Sequence, residues 1–207
     1  SLWAAARLSV PAQRNTAAGG IKLHLIWREL AGYVGFAMGY IVYLTFLSAW
    51  MTDQQAPALL ISAVWIIMGV ALIASPFVWR GVLARHASGK PLAMILTGIA
   101  IGSALPLVLP AGGAVVISAV VFGLCVFMAP GAITSFIRQN LPAESWAAAM
   151  SLFTVVFAIA QTAGPFAAGA LGDLTGNIGS SPLAAAAILL TGASVVAFQK
   201  PLPQQDP

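Results

Sequence analysis

The chain has 207 residues, of which 60% are apolar and only 7% are charged, and its net charge is +4. An ordinary soluble domain carries roughly a quarter of its residues as charges, so this composition excludes a water-soluble globule and indicates a protein embedded in lipid. The single cysteine, Cys125, excludes both a disulfide framework and a multi-thiolate metal site.

The first 29 residues differ in composition from the rest of the chain. Their apolar runs are too short for the core of a signal peptide, and basic and polar residues separate them. We therefore interpret residues 1–29 as a cytoplasmic linker. Leu23, Ile26, Trp27 and Leu30 have helical spacing and predict an interfacial lead-in to the first membrane span.

Six apolar runs without Asp, Glu, Lys or Arg follow this linker, each long enough to cross about 30 Å of hydrocarbon as a helix. Membrane strands are excluded, because they alternate in polarity over about ten residues. The sequence predicts an all-α membrane bundle over residues 30–198, followed by a cytoplasmic tail at 199–207. The predicted spans are 30–51, 57–79, 91–109, 112–137, 146–172 and 181–198.

The charges predict how this bundle is oriented. Six crossings place every basic residue on one side of the membrane, whereas the opposite loops carry only Asp53 and Asp173. Membrane proteins keep their basic loops in the cytoplasm, so both termini are predicted to be cytoplasmic. The +4 charge therefore reflects topology, and a nucleic-acid partner is not predicted. The basic residues are Arg7, Arg14, Lys22, Arg28, Arg80, Arg85, Lys90, Arg138 and Lys200.

An internal repeat relates the second and third spans to the fifth and sixth. Pro76-Phe77 precedes a glycine-containing segment and then Pro91, and Pro165-Phe166 precedes a similar segment and then Pro182, about 89 residues later. A unit with three helices reverses direction in the membrane when it is repeated. We therefore predict two inverted three-helix repeats, an arrangement typical of secondary transporters.

The six spans, the inverted repeats and several short motifs resemble the C-terminal half of a major facilitator superfamily transporter, in particular the YbfB/YjiJ-like bacterial branch. The resemblance covers residues 27–198. It implies half of a 12-helix fold in a bacterial inner membrane, with an N-terminal six-helix half as partner. The motifs are Gly39-Tyr40-Ile41-Val42-Tyr43-Leu44-Thr45-Phe46, Gly81-x-Leu83-Ala84-x-x-x-x-Gly89-Lys90, Leu141-Pro142-Ala143-Glu144-Ser145-Trp146, Gln161-Thr162-Ala163-Gly164-Pro165 and Gly169-Ala170-Leu171-Gly172-Asp173.

Four polar or aromatic residues at mid-depth are the candidate substrate-binding residues. Tyr40 and Tyr43 lie near the centre of the first span, where a buried phenol needs a hydrogen-bond partner. Gln161 is central in the fifth span, and either substrate contact or interhelical hydrogen bonding accounts for it equally well. Trp65 lies away from the membrane interface that Trp prefers, so it forms either a cavity wall or a packing contact.

Two further pairs of residues are candidates for a conformational role. Gly164 and Pro165 resemble a superfamily motif at a helix bend, and the missing amide hydrogen of Pro165 favours either a flexible gate or a static kink. Gly81 and Arg85 belong to the superfamily's loop motif. That motif usually has an acidic residue followed by a basic one where this chain has Arg85 and His86, although Arg85 can still stabilise the carbonyl end of a helix.

Neither an enzyme nor a cofactor or metal site is predicted. His24 and His86 lie outside the spans, without partners at the spacing of a metal site or a nucleophile. The spans contain no ionisable acid or base. If protons are the coupling ion, the titrating group lies in the N-terminal half, or Asp53 or Asp173 contributes.

We therefore predict an alternating-access secondary transporter of a small molecule, of which this chain is the C-terminal half. The alternative is a six-helix membrane scaffold without transport activity. Polar groups at mid-depth favour the transporter, because a scaffold does not need them.

Overall fold

A computed structural model describes residues 22–109, 112–175 and 180–203, and the regular structure within those ranges is helical. Within these ranges, five helical segments are long and apolar enough to cross a membrane, and Pro182–Ala197 is a shorter apolar helix. The predicted all-α, six-helix membrane fold is confirmed. The elements are α1 (Leu23–Asp53), α2 (Ala58–Arg85), α3 (Lys90–Val108), α4 (Gly112–Val126), α5 (Met128–Asn140), a short 3-10 turn (Ala143–Ser145), α6 (Trp146–Thr175) and α7 (Ser180–Ala197).

Helix α1 begins ahead of the first predicted span. Its first residue is Leu23 rather than Leu30, and Ile26 is buried in the bundle. The helical spacing of the apolar residues before Leu30 therefore continues directly into the span. As a consequence, Glu29 lies within α1 and is buried as well.

The fourth predicted span, 112–137, is divided into α4 and α5 by a turn at Phe127. Pro130 explains the break, because a proline has no amide hydrogen for the carbonyl four residues earlier and its ring collides with that carbonyl. The carbonyl in question belongs to Val126, the last residue of α4. The indole Nε1 of Trp79 donates to the nearby Leu124 carbonyl at 2.8 Å, which gives one backbone acceptor near the end of α4 a partner.

The helices pack in the spatial order α2, α4, α3, α7, α1, α6. The first repeat consists of α1, α2 and α3, and the second consists of α4 with α5, then α6 and α7. In the observed order, the first helix of each repeat contacts the second and third helices of the other repeat. Helix α1 packs on α6 and α7, α4 packs on α2 and α3, and the third helices α3 and α7 pack on each other. Such an exchange is what two inverted repeats related by a pseudo-twofold axis produce. It leaves α2 and α6 at the two ends of an open arc.

Glycines allow the closest of these helix contacts. A Cβ built on Gly35 would lie 3.3 Å from the Gly192 Cα in α7, and one on Gly102 would lie 2.9 Å from the Phe122 backbone nitrogen in α4. A larger residue at Gly102 would therefore push α3 away from α4. Small residues serve the same purpose throughout membrane bundles.

One end of the bundle, here named the basic end, carries Lys22, Arg28, Arg80, Arg85, Lys90, Arg138 and Lys200. Hydrogen bonds link its segments. Asn140 at the end of α5 donates from Nδ2 to the Ala87 carbonyl at 2.7 Å and accepts the Leu202 amide at 2.7 Å. The Leu83 carbonyl of α2 accepts hydrogen bonds from the Ser135 and Gln139 side chains at 3.1 Å each. Arg7 and Arg14 lie outside the described residues.

Candidate functional site

A stack of aromatic rings joins α1 to α6 at the middle of the bundle. On α1, Tyr33, Phe36 and Tyr40 are spaced by three or four residues, which places them on one helix face. The ring centroids of Phe36 and Tyr40 are 4.7 Å apart, and Phe157 of α6 lies 5.9 Å from both of these rings. Phe153, one turn before Phe157, contacts Tyr33. Two helices that are distant in sequence thus share one aromatic surface.

The polar end of this aromatic surface is a hydrogen bond between Tyr40 and Gln161. The Tyr40 hydroxyl donates to the Gln161 side-chain oxygen. Gln161 follows Phe157 by four residues on α6, so both side chains lie on the face of α6 that meets α1. Tyr40 and Gln161 are both half-buried. This pair therefore offers a phenol and an amide beside a stacking surface, without a formal charge.

Tyr43, three residues after Tyr40 on α1, contacts other helices and is 1% exposed. Its hydroxyl is 2.6 Å from the Ser118 Oγ of α4, and the Ser118 hydroxyl donates to the Gly102 carbonyl of α3 at 2.5 Å. Since Ser118 has one hydroxyl hydrogen, Tyr43 is the donor in its own bond. The Gly102 carbonyl is the one that Pro106, four residues later, leaves without an amide donor. The Tyr43 phenol is thus already engaged within the bundle.

Trp65 lies at a different level of the bundle from Tyr40 and Gln161. Its indole Nε1 donates to the Ser48 Oγ of α1 at 3.0 Å, and its side chain is 38% exposed. Ser48 follows Tyr40 by eight residues, a separation of about 12 Å along a helix. The structure therefore brings Tyr40 and Gln161 together, but places Tyr43 and Trp65 in separate contacts.

Gly164 and Pro165 lie inside α6, which runs as one helix through both residues. A Cβ on Gly164 would lie 2.8 Å from the Met38 carbonyl oxygen of α1, so the missing side chain lets α6 approach α1 closely. Pro165 leaves the Gln161 carbonyl without its usual amide donor. Across the described chain, no side chain donates to that carbonyl. The interrupted backbone hydrogen bond therefore lies at the residue that binds Tyr40.

Gly81 and Arg85 lie near the basic end of α2. A Cβ on Gly81 would meet nothing within 4 Å. Arg85 is exposed, and its guanidinium makes no hydrogen bond or ion pair with any residue of the described ranges. In the same motif, however, a Cβ on Gly89 would collide with the Val196 carbonyl and with the Gln199 side chain.

Three residues that the structure places in notable contacts were not predicted from the sequence. Phe157 and Ser118 show themselves only through packing, because neither belongs to an unusual motif. Glu29 had a signal, since it extends the α1 spacing of Tyr33, Phe36 and Tyr40 by one turn. Because Glu29 is charged, the uncharged apolar run that predicts the first span begins only at Leu30.

A metal site is not apparent in the part of the chain that the structure describes, where no three His, Cys, Asp or Glu side chains form a group. The uncharged aromatic surface and the Tyr40–Gln161 pair suit binding rather than bond-breaking chemistry. A general acid, a base or a nucleophile with a partner would be needed for the latter.

Comparison with known proteins identifies the chain at the level of the family. The family model described as "Uncharacterised MFS-type transporter YbfB" matches residues 3–197. Neither a curated protein nor a solved structure matches the chain at a significant level. The match spans nearly the whole sequence and agrees with the helical membrane fold. The chain therefore belongs to the YbfB-type family of the major facilitator superfamily, and it is an integral membrane transporter rather than an enzyme.

Proposed function

We propose that this chain forms one six-helix half of an alternating-access secondary transporter, which carries a small molecule across a bacterial inner membrane. The observation that carries the proposal is the hydrogen bond between Tyr40 of α1 and Gln161 of α6. It lies at mid-membrane, where a polar pair is costly unless it serves binding or helix association. The aromatic stack next to it adds a surface on which a planar or apolar substrate can lie.

The partner in this proposal is an N-terminal six-helix half that packs against α2 and α6. These helices form the ends of the open arc. Only 22% of the most apolar 18-residue stretch of each helix is buried, whereas about half of the corresponding stretch is buried in α1 and α3. Large apolar side chains are exposed on both helices. They include Leu59, Ile66, Val70, Ile73 and Phe77 on α2, and Val155, Ile159 and Phe166 on α6. A second bundle together with lipid would cover these surfaces.

Within the site we assign the substrate contacts to Tyr40 and Gln161. Both are partly accessible, and their mutual hydrogen bond can be exchanged for bonds to a ligand. Trp65 would form an aromatic wall of the same cavity closer to the end of the bundle opposite the basic end. Tyr43 would hold α1 against α4 through its hydrogen bond to Ser118.

Gly164 and Pro165 are assigned a gating role. The close contact between Gly164 and the α1 backbone allows α6 to slide along α1. The Gln161 carbonyl, which Pro165 leaves without an amide donor, weakens α6 near the same point. Gly81 and Arg85 would move with the loop between α2 and α3. This assignment is supported by the space around Gly81 and by the exposure of Arg85.

The proposed orientation places the basic end, and therefore both ends of this chain, in the cytoplasm. Every basic residue among those described lies at that end, whereas Asp53 and Asp173 are exposed at the opposite end. A bias of this kind in short loops is what orients membrane proteins.

Cysteine labelling tests whether Gln161 faces a water-filled cavity. In a Cys125→Ala background, Gln161→Cys should react with a water-soluble, membrane-impermeant thiol reagent. The matched control is Ile159→Cys, which is exposed on the opposite side of α6 and should react only with a lipid-soluble reagent. Absence of reaction at Gln161→Cys from either side of the membrane, in protein of normal abundance, would refute the cavity.

A further inference from the structure

A carboxyl group is buried at the basic end, away from the Tyr40–Gln161 pair. The Glu29 side chain is 1% exposed and lies between the first turns of α1, the end of α7 and the loop before α3. Its Oε2 is 2.9 Å from the position that a Cβ on Gly89 would occupy. Only a glycine at that position leaves room for the carboxyl group.

The Gln199 side chain lies against the same glycine, since its Cβ is 2.7 Å from the position of a Gly89 Cβ. Its Nε2 donates to the Leu25 and Lys200 carbonyls at 2.9 Å each. These two acceptors determine the orientation of the amide, because only the nitrogen can donate to them. The Gln199 Oε1 is therefore an acceptor, and the Gly89 amide donates to the Gln199 main-chain carbonyl at 3.0 Å.

Both side chains contain an acceptor without a donor. The Glu29 Oε2 and the Gln199 Oε1 are buried, and neither has a hydrogen-bond partner among the described residues. Buried polar atoms are normally satisfied, so two unsatisfied acceptors around one glycine require an explanation. An ionised carboxylate provides none, because it can only accept hydrogen bonds.

The neighbouring cations do not compensate a charge on Glu29. On α1, the Arg28 guanidinium lies over the Trp27 ring, 5.1 Å from its centroid. In the loop before α3, the Nδ1 of His86 is hydrogen-bonded to the Val82 carbonyl at 3.0 Å. A buried carboxylate without a cation is strongly disfavoured. The remaining basic side chains on these elements point into solvent; they are Lys22, His24, Arg85, Lys90 and Lys200.

We propose that Glu29, Gly89 and Gln199 form a proton-binding site, in which Glu29 holds a proton while the basic end is closed. Protonation forms one O–H bond on the carboxylate and breaks one O–H bond of a hydronium ion, which leaves as water. The new hydroxyl is the donor that the buried acceptors of this cluster lack. Opening of the basic end would separate α1 from α7 and the loop, admit water and release the proton.

The use of this site as a proton-coupling or pH-sensing device rests on the proposed alternating-access function, whereas the protonated state of Glu29 does not. The test therefore reads the carboxyl group directly, by infrared spectroscopy of the protein in membranes without substrate. A protonated carboxylic acid has a carbonyl stretching band that is distinct from the bands of a carboxylate. Wild type should show this band at neutral pH and lose it only as the pH rises further.

Glu29→Gln should lack the band, while its amide can still donate a hydrogen bond and so retain the fold. The matched control Glu144→Gln removes an exposed carboxyl group and should leave the neutral-pH band unchanged. Absence of the band from wild type at neutral pH would overturn the proposal, even if a variant failed to fold. Loss of the wild-type band on addition of sodium ions at constant pH would also overturn it, in favour of a metal-cation site.

Discussion

Two tyrosines on α1, only three residues apart, bond to different helices of the bundle. Tyr43 donates to Ser118, and Ser118 donates to the carbonyl that Pro106 has freed in α3. Tyr40 donates to Gln161, the residue whose own carbonyl Pro165 has freed in α6. Each region thus combines a tyrosine hydroxyl with a backbone carbonyl that a proline four residues later has left without its amide donor. They differ in whether the freed carbonyl is satisfied by a side chain.

That difference separates a region that holds the bundle together from one that is suited to movement. At Pro106 a buried chain of two hydrogen bonds fixes α1, α4 and α3 to one another. At Pro165 no side chain of the described residues takes the freed carbonyl, and the Tyr40–Gln161 pair is half-buried rather than enclosed. A proline in a membrane helix therefore does not by itself indicate a hinge. The partners of the carbonyl four residues earlier decide its effect.

The largest effect is expected from Ser118→Ala, which interrupts the Tyr43–Ser118–Gly102 chain and should lower the stability of the bundle. This change leaves the Tyr43 hydroxyl and the Gly102 carbonyl without partners in the bundle interior, at a cost of about 2 kcal/mol in the free energy of unfolding. Denaturant titration in mild detergent measures it. Ser151→Ala, which removes an exposed hydroxyl bonded to the Ala147 carbonyl in its own helix, should cost much less. Equal losses in the two variants would contradict the special role of the Tyr43 chain.

The next effect is on transport, through Tyr40→Phe and Gln161→Ala. Each should reduce the transport rate by about tenfold, corresponding to about 1.4 kcal/mol, while the unfolding free energy changes little because the remaining partner is partly accessible. Uptake or efflux in cells, normalised to membrane abundance, gives the comparison. Thr162→Ala, an exposed change on α6 next to Gln161, is the control. Wild-type transport in both site variants would refute their assignment to the substrate path.

The smallest effect is expected from the prolines themselves. Pro165→Ala restores an amide donor to the Gln161 carbonyl and stiffens α6, so transport should slow by about threefold without a change in substrate affinity. Pro106→Ala should leave transport unchanged, because the Gly102 carbonyl is already bound by Ser118. Rates and affinities measured in proteoliposomes separate the two. A larger loss of rate from Pro106→Ala than from Pro165→Ala would reverse the proposed division.

Some of this contrast was predictable from the sequence. The spacing of Tyr33, Phe36 and Tyr40 predicts a shared aromatic face on α1, and the mid-depth position of Gln161 predicts a polar contact there. The same three-residue spacing puts Tyr43 close to the direction of Tyr40, although its hydrogen bonds lead to α4 and α3. A helical wheel gives the direction of a side chain only within a broad sector. Residues three apart are separated by about 300° of helical rotation, so their side chains point only about 60° apart. Which helix fills that sector depends on packing.

Composition and hydrophobic run length determined that this chain is a helical membrane protein, because apolar segments of that length have no other stable environment. The positions of the basic residues and the repeated prolines added a predicted orientation and two inverted units. The tertiary structure decided which polar groups find partners. It joined Tyr40 to Gln161, gave the carbonyl freed by Pro106 a hydroxyl, and buried Glu29 against Gly89. Such partners come from helices far apart in sequence, and a local pattern cannot specify them.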